Sequence, residues 1–136
     1  MNEMAPRPLT APTDENANCA RAPIGLLAEL THKCPLQCPY CSNPVELEKG
    51  NTELTTGELQ SVMRQAGELG ILQIHLSGGE PAVRRDLEDI VETAAESGLY
   101  TNLVTAGVTL TRERLEVLRD KGLDHVQLSI QDADPV

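Results

Sequence analysis

Phe and Trp are absent from this 136-residue chain, and Tyr occurs only twice. Any core must therefore be aliphatic, and the stacked aromatic platforms of single-strand nucleic-acid binders have almost no material. Positive charge is scarce: 11 Lys and Arg face 21 Asp and Glu, a net charge of -10. That balance repels phosphate backbones and anionic lipid, so nucleic acid and membrane surfaces are excluded as expected partners. No apolar run approaches the ~20 residues of a membrane span. The N-terminus lacks the basic-then-apolar order of a secretory signal. The expected compartment is the cytoplasm, where thiols stay reduced. Four cysteines there point to metal or redox chemistry before disulfides.

What is present begins with a stretch, residues 1–22, that holds Pro6, Pro8 and Pro12 and has no periodicity. It is expected to be a disordered tail, with one folded unit over residues 23–136. Four apolar runs predict strands at 25–30, 71–76, 100–104 and 125–130, the last with Val126, Leu128 and Ile130 on one face. Helical spacing fills the gaps. Thr55 with Glu58 reads as a capping box, followed by Leu59, Val62, Met63, Ala66 and Leu69, with Gly70 as the stop. Asp86 is the expected cap of a second helix, with Leu87, Ile90, Val91, Ala94 and Ala95 as its apolar face, a solvated acidic face opposite, and Gly98 at its end. Thr111 caps a third helix that Gly122 closes. Strands alternating with helices predict an α/β fold with a parallel sheet and right-handed crossovers. Chemistry in such sheets collects in the loops at the strands' carboxyl ends.

The first of those loops carries Cys34, Cys38 and Cys41, three thiols within eight residues. Thiolate is the ligand of iron–sulfur clusters, and three nearby cysteines can hold three irons of a cubane and leave the fourth open. Pro35 and Pro39 suit an irregular loop. Other chemistries stay open at this point. Cys38-Pro39-Tyr40-Cys41 alone matches a thiol-redox motif, although Pro44 interrupts the helix such a motif opens and Cys34 is left without a role. With His32, the three thiols match a structural zinc site, although only one C-x-x-C arm is present. Cys19 lies outside the spacing and is incidental. Ser77-Gly78-Gly79-Glu80-Pro81 follows the second strand; its glycines permit positive φ and close approach of a ligand, and the Glu80 carboxylate can pair with an ammonium group. After the third strand come Thr105-Ala106-Gly107, with Asn102 inside the strand, and on the fourth Ser129 and Gln131 share a face. His75 reads as a packed strand residue, and His125 carries no motif.

Cys-x₃-Cys-x₂-Cys after a first strand, followed by Gly-Gly-Glu-Pro after the second, resembles the radical S-adenosylmethionine (SAM) superfamily. The resemblance implies a partial TIM-type barrel of parallel β/α units, cut after about four strands. It implies one [4Fe–4S] cluster on Cys34, Cys38 and Cys41. It also implies a SAM site comprising Tyr40, Gly78, Gly79, Glu80, Pro81, Asn102, Thr105, Ser129 and Gln131, with the Gly-Gly-Glu-Pro segment on the amino group of the methionine. The Asn of the family's Thr-Asn-Gly segment is replaced by Ala106, which leaves the polar contact to Thr105 or Asn102.

From Pro23 to Gln131 the chain further resembles the branch of that superfamily that serves pyrroloquinoline quinone (PQQ) biosynthesis. This implies an oxidoreductase that cleaves SAM reductively and joins a Glu carbon to a Tyr ring within the precursor peptide PqqA. The implied partners are the peptide chaperone PqqD and a flavodoxin-type electron donor. Members of that branch continue into a domain with auxiliary clusters, whereas no cysteine follows Cys41 here. The chain is therefore expected to be the N-terminal part of a radical SAM core, incomplete for turnover. The competing expectation is a zinc-binding or non-catalytic cluster-binding module.

Overall fold

The computed structural model describes residues 23–41 and 53–130. The tail expected at residues 1–22, Cys19, Pro44 and Gln131 lie outside them. The elements run β1 (Gly25–Glu29), α1 (Thr56–Glu68), β2 (Gln73–Ser77), a 3₁₀ turn (Pro81–Val83), α2 (Leu87–Glu96), β3 (Tyr100–Thr105), α3 (Arg112–Asp120) and β4 (His125–Leu128). The sheet order is β1-β2-β3-β4, parallel throughout. Sequential order with every neighbour parallel is the winding of a barrel wall, whereas a doubly wound sheet reverses its order at a switch point.

Each helix start and stop has a local cause. At α1 the Thr55 hydroxyl accepts from the Glu58 amide at 3.3 Å while the Glu58 carboxylate accepts from the Thr55 amide at 2.8 Å, a complete capping box. The three stops are alike. Gly70, Gly98 and Gly122 take φ of 79°, 77° and 99°, and the amides of Ile71, Leu99 and Leu123 return to the carbonyls of Ala66, Ala94 and Leu118. This is the Schellman arrangement, in which a left-handed glycine is followed by an apolar residue packed back on the helix. Ile71, Leu99 and Leu123 are all buried accordingly.

That motif corrects two expectations. Ile71 belongs to the helix stop, so β2 begins two residues later than the apolar run suggested, at Gln73. Leu69 is the C-cap and is 68 % exposed, so it is not on the buried stripe formed by Leu59, Met63 and Ala66. Asp86 stands at the N-cap of α2 but makes no side-chain cap bond, because its carboxylate is taken by Arg84 and Thr56. The acidic face of α2 is not simply solvated either: Glu88 pairs with Arg114 of α3 and Glu92 with Lys121.

One core joins Ile74, Leu76 and Leu103 of the sheet to Leu59 and Met63 of α1, Ile90 and Val91 of α2, and Leu118 of α3. All three helices thus cover one face. The other face carries Leu27, Gln73, Tyr100, His125 and Gln127, all exposed. β4 ends at Leu128, and Leu128 and Ile130 are 55 % and 76 % exposed. They lie on the helix-bearing face beyond the reach of α3, since Val126 of the same face is packed while they are not.

Candidate functional site

The loops that leave β1 and β2 are joined main chain to main chain. The Gly79 amide donates to the Thr31 carbonyl at 2.7 Å and the Glu80 amide to the Lys33 carbonyl at 2.8 Å. The gap between them admits no side chain. A Cβ on Gly78 would stand 2.4 Å from the Thr31 carbonyl oxygen, and one on Gly79 2.5 Å from that of Lys33. Of these two glycines only Gly78 has positive φ, at 134°. The glycines are therefore demanded by the cysteine loop itself, whatever ligand approaches them.

The cysteine loop is held from its other side by Glu53. Its carboxylate accepts from the Thr31 hydroxyl at 2.8 Å and the His32 amide at 2.9 Å. Burial pushes the Glu53 carboxyl up, but the bonds from His32 and Thr31, with Lys33 and Arg84 nearby, leave it below its ordinary range. Among the described residues, the buried Nδ1 of His32 has no partner. Beyond Lys33 the chain carries Cys34, Cys38 and Cys41 as free thiols, two exposed and one half-buried, with the Cys41 amide turned onto the Cys38 carbonyl at 3.0 Å. Tyr40 is 64 % exposed. Three free thiols in one irregular loop are the donor set an iron–sulfur cluster uses. As the loop stands, no three His, Cys, Asp or Glu side chains among the described residues are gathered closely enough to hold a metal ion.

Glu80 is buried to 1 % exposure. Its Oε1 accepts from the Thr105 hydroxyl at 2.6 Å and the Ala82 amide at 3.0 Å, and its Oε2 from the Ala106 amide at 2.8 Å. Thr105 lies on the helix-bearing face with Thr101 and Leu103. Asn102, of opposite parity, lies on the open face beside His75, with His75 Nδ1 2.9 Å from its Nδ2. The two residues expected as alternatives for one SAM contact thus point to opposite sides of β3. The Oδ1 of Asn102 is buried without a partner among the described residues. Asn102 registers with His125, which puts Ser129, four residues on, on the same open side, and the Ser129 amide donates to the Thr105 carbonyl at 2.8 Å.

Two arginines, which carried no sequence signal, brace this arrangement. Arg84 Nη1 donates to the Leu30 carbonyl at 2.8 Å and to that of Leu54 at 3.3 Å, while its Nε and Nη2 clasp Asp86. The Arg84 bonds hold the Asp86 carboxyl, against burial, down to about 2, with the Thr56 hydroxyl adding to them. Arg114 reaches from α3 to the carbonyls of Ala82 and Arg84 and to Glu88. Burial pushes the Glu88 carboxyl up, and Arg114 outweighs it to leave the carboxyl lowered. A groove of about 530 Å³ lies between the Arg84–Asp86 pair and the start of the cysteine loop, with Lys33, Glu53 and Arg85 on its walls.

The profile of the radical SAM superfamily matches residues 28–136, from β1 through all the strand-end loops described above. The chain belongs to the radical SAM superfamily. Among curated relatives, it is 63 % identical over 112 residues to the PqqA peptide cyclase of Methylocella silvestris, covering 82 % of this chain and 30 % of that protein. With the PqqA peptide cyclase of Streptomyces rochei it shares 58 % identity over 114 residues, 84 % of this chain and 31 % of the relative. The chain thus spans about 30 % of the length of the curated relatives it matches. Among solved structures, BtrN in complex with AdoMet and 2-DOIA superposes with a TM-score of 0.71 at 25 % identity, over 83 % of this chain and 47 % of that one. SuiB of Streptococcus suis bound to its precursor peptide SuiA gives a TM-score of 0.62 over 70 % of this chain and 21 % of that one; at 21 % identity this is a likeness of fold. The partial radical SAM barrel expected from the sequence is the fold observed. The superfamily works with an iron–sulfur cluster and SAM.

Proposed function

We propose that this chain forms the cluster- and SAM-binding part of a PqqE-type PqqA peptide cyclase. The observation that carries the proposal is the paired hydrogen bonding of Gly79 to Thr31 and Glu80 to Lys33, which sets the three-cysteine loop against the Gly-Gly-Glu-Pro segment. Cys34, Cys38 and Cys41 hold one [4Fe–4S] cluster, which when bound supplies the electron for reductive cleavage of SAM. The segment of Gly78, Gly79, Glu80 and Pro81 receives the methionine end of SAM, whose ammonium needs acceptors at a strand terminus. Tyr40 lies within the cluster loop, between Cys38 and Cys41, and is assigned to the SAM site from there. Asn102 and Ser129 serve the remaining polar groups of SAM from the open side of the sheet, Thr105 supports them from the other, and Gln131, outside the described residues, is assigned to the same ligand. The Asn102 Oδ1, buried without a partner among the described residues, is the kind of acceptor a ligand donor satisfies.

The substrate is a precursor peptide of the PqqA type, as the names of the relatives suggest, and SuiB with its bound precursor peptide provides a precedent on this fold. The reaction joins a Glu side-chain carbon to a Tyr ring; of the two hydrogens the peptide loses, one leaves on 5′-deoxyadenosine and one as a proton, with SAM the two-electron oxidant overall. PqqD presents the peptide, a flavodoxin-type protein delivers the electron, and the compartment is the cytoplasm. No helix among the described residues is long and apolar enough to cross a membrane.

Anaerobic reconstitution tests the first step. About four irons with matching sulfide are expected per chain. Replacing Cys34, Cys38 or Cys41 by Ala abolishes them, and Cys19→Ala does not. Stoichiometric zinc without sulfide in anaerobically purified protein would overturn the proposal in favour of a structural zinc module.

A further inference from the structure

Glu80 sits where a carboxylate is most costly, at 1 % exposure. A buried carboxylate persists when its acceptor positions are filled by donors. Here three donors occupy three of its roughly four acceptor sites: Thr105 and Ala82 on one oxygen, Ala106 on the other. Ala82 belongs to the turn that Glu80 itself opens. Thr105 and Ala106 belong to the end of β3 and the loop beyond it. The Thr105 hydroxyl, having donated its proton to Glu80, accepts from the Gly107 amide at 2.9 Å, and its carbonyl receives Ser129. On its other side Glu80 donates its own amide to Lys33 of the cysteine loop. One residue therefore ties together the loops that follow β1, β2 and β3. At 1 % exposure the residue offers almost no surface to an incoming ammonium.

We infer that Glu80 is a positioning residue: its carboxylate buckles the Gly-Gly-Glu-Pro segment to Thr105 and Ala106, and the pair Glu80–Thr105 acts as one unit in shaping the SAM site. This rests on the SAM site proposed above and changes the part played by its glutamate, from ligand to fastener. It also gives the Ala106 position a physical account, since the buckle uses the main-chain amide there and no side chain. Glu80→Gln places an amide nitrogen opposite a main-chain donor, either the Ala106 N–H or the Ala82 N–H, so one bond is lost in any rotamer. Thr105→Val removes the hydroxyl at nearly constant volume. Thr105→Ser keeps it.

The test measures SAM and methylthioadenosine affinity on the cluster-loaded chain by anaerobic calorimetry. It also measures amide hydrogen exchange at Ala106 and Gly107 in the ligand-free protein. Glu80→Gln and Thr105→Val are each expected to weaken SAM by about tenfold or more. The double variant should be no weaker than the worse single one, because both break the same unit. Methylthioadenosine, which has no ammonium, should lose affinity by a similar factor. Thr105→Ser should restore binding, and iron content should stay unchanged. Exchange at Ala106 and Gly107 should quicken in both disruptive variants while the β2 and β3 core amides stay protected. The inference is overturned if Glu80→Gln weakens SAM but not methylthioadenosine while Thr105→Val binds like the parent, since the carboxylate then contacts the ammonium directly. Additive losses overturn it as well. A loaded parent chain that binds no SAM would instead refute the site itself. The exchange measurement then decides the buckle alone, and unchanged exchange at Ala106 sinks it.

Discussion

Gly79 shows how a single residue type can be set by a neighbouring loop. Its hydrogen stands where any Cβ would press to 2.5 Å from the Lys33 carbonyl oxygen and 2.8 Å from that of His32. Those atoms are main chain and cannot swing aside like the end of a side chain. Gly79→Ala must therefore push the cysteine loop away and stretch the bonds from Gly79 to Thr31 and from Glu80 to Lys33. The expected cost is about 1–3 kcal/mol, the range for overpacking a closed contact. Thermal denaturation checks the stability loss. Iron content after reconstitution checks whether the loop still gathers its thiols, and a variant with the parent's melting temperature would show that the loops do not need this contact. The same logic separates Asn102 from Thr105. Three positions apart on one strand, they face opposite sides, so only Asn102 shares the open side with His75, His125 and Ser129.

At the scale of elements, the bracing runs between helix starts. Thr56 in the first turn of α1 donates to Asp86 at 2.6 Å, and Asp86 before α2 is clasped by Arg84, which also holds the end of β1 through Leu30. The folded Asp86 carboxyl titrates at about 2, below the ordinary 3.8. A depressed carboxyl contributes stability that is present above pH 3.8 and is lost as pH falls toward 2. The contribution is about 2 kcal/mol at most, from the size of the shift. Urea midpoints taken downward through that window should fall in the parent chain, and Asp86→Asn should be less stable at neutral pH with a flatter acid limb. Equal slopes in the two proteins would mean that Asp86 is not held as described. Glu88, lowered by Arg114, adds to the same acid limb from the α2–α3 contact, so the flattening is partial.

For the molecule as a whole, the helix-bearing face is covered as far as Val126, while Leu128 and Ile130 at the β4 edge stand exposed. An uncovered apolar pair beside the unpaired groups of an edge strand is an association site. The isolated chain is expected to self-associate as its concentration rises, measured by light scattering. Ile130→Lys should shift that association to higher concentration by placing a charge at the edge, without changing the far-ultraviolet circular dichroism. A parent chain that stays monomeric at high concentration would show the edge to be protected.

The element order, the parallel sheet and the helix ends could be read directly from the residues. The reason is range: the Thr55–Glu58 box and the stops at Gly70, Gly98 and Gly122 are closed by hydrogen bonds spanning a few residues, so a short window contains every partner. The cysteine spacing and the Gly-Gly-Glu-Pro segment were legible for the same reason, and they name the family. The start of β2 was misplaced because an apolar residue serves equally as a strand residue or as the packed residue after a helix stop, and only the Ile71–Ala66 bond distinguishes them. What the tertiary structure alone decided is who meets whom across the loops. Glu80 finds Thr105 at a separation of 25 residues, and Arg84 finds Leu30 at 54. Those meetings depend on the register of parallel strands, and each register is set by the packing of a whole intervening helix, which no local pattern encodes.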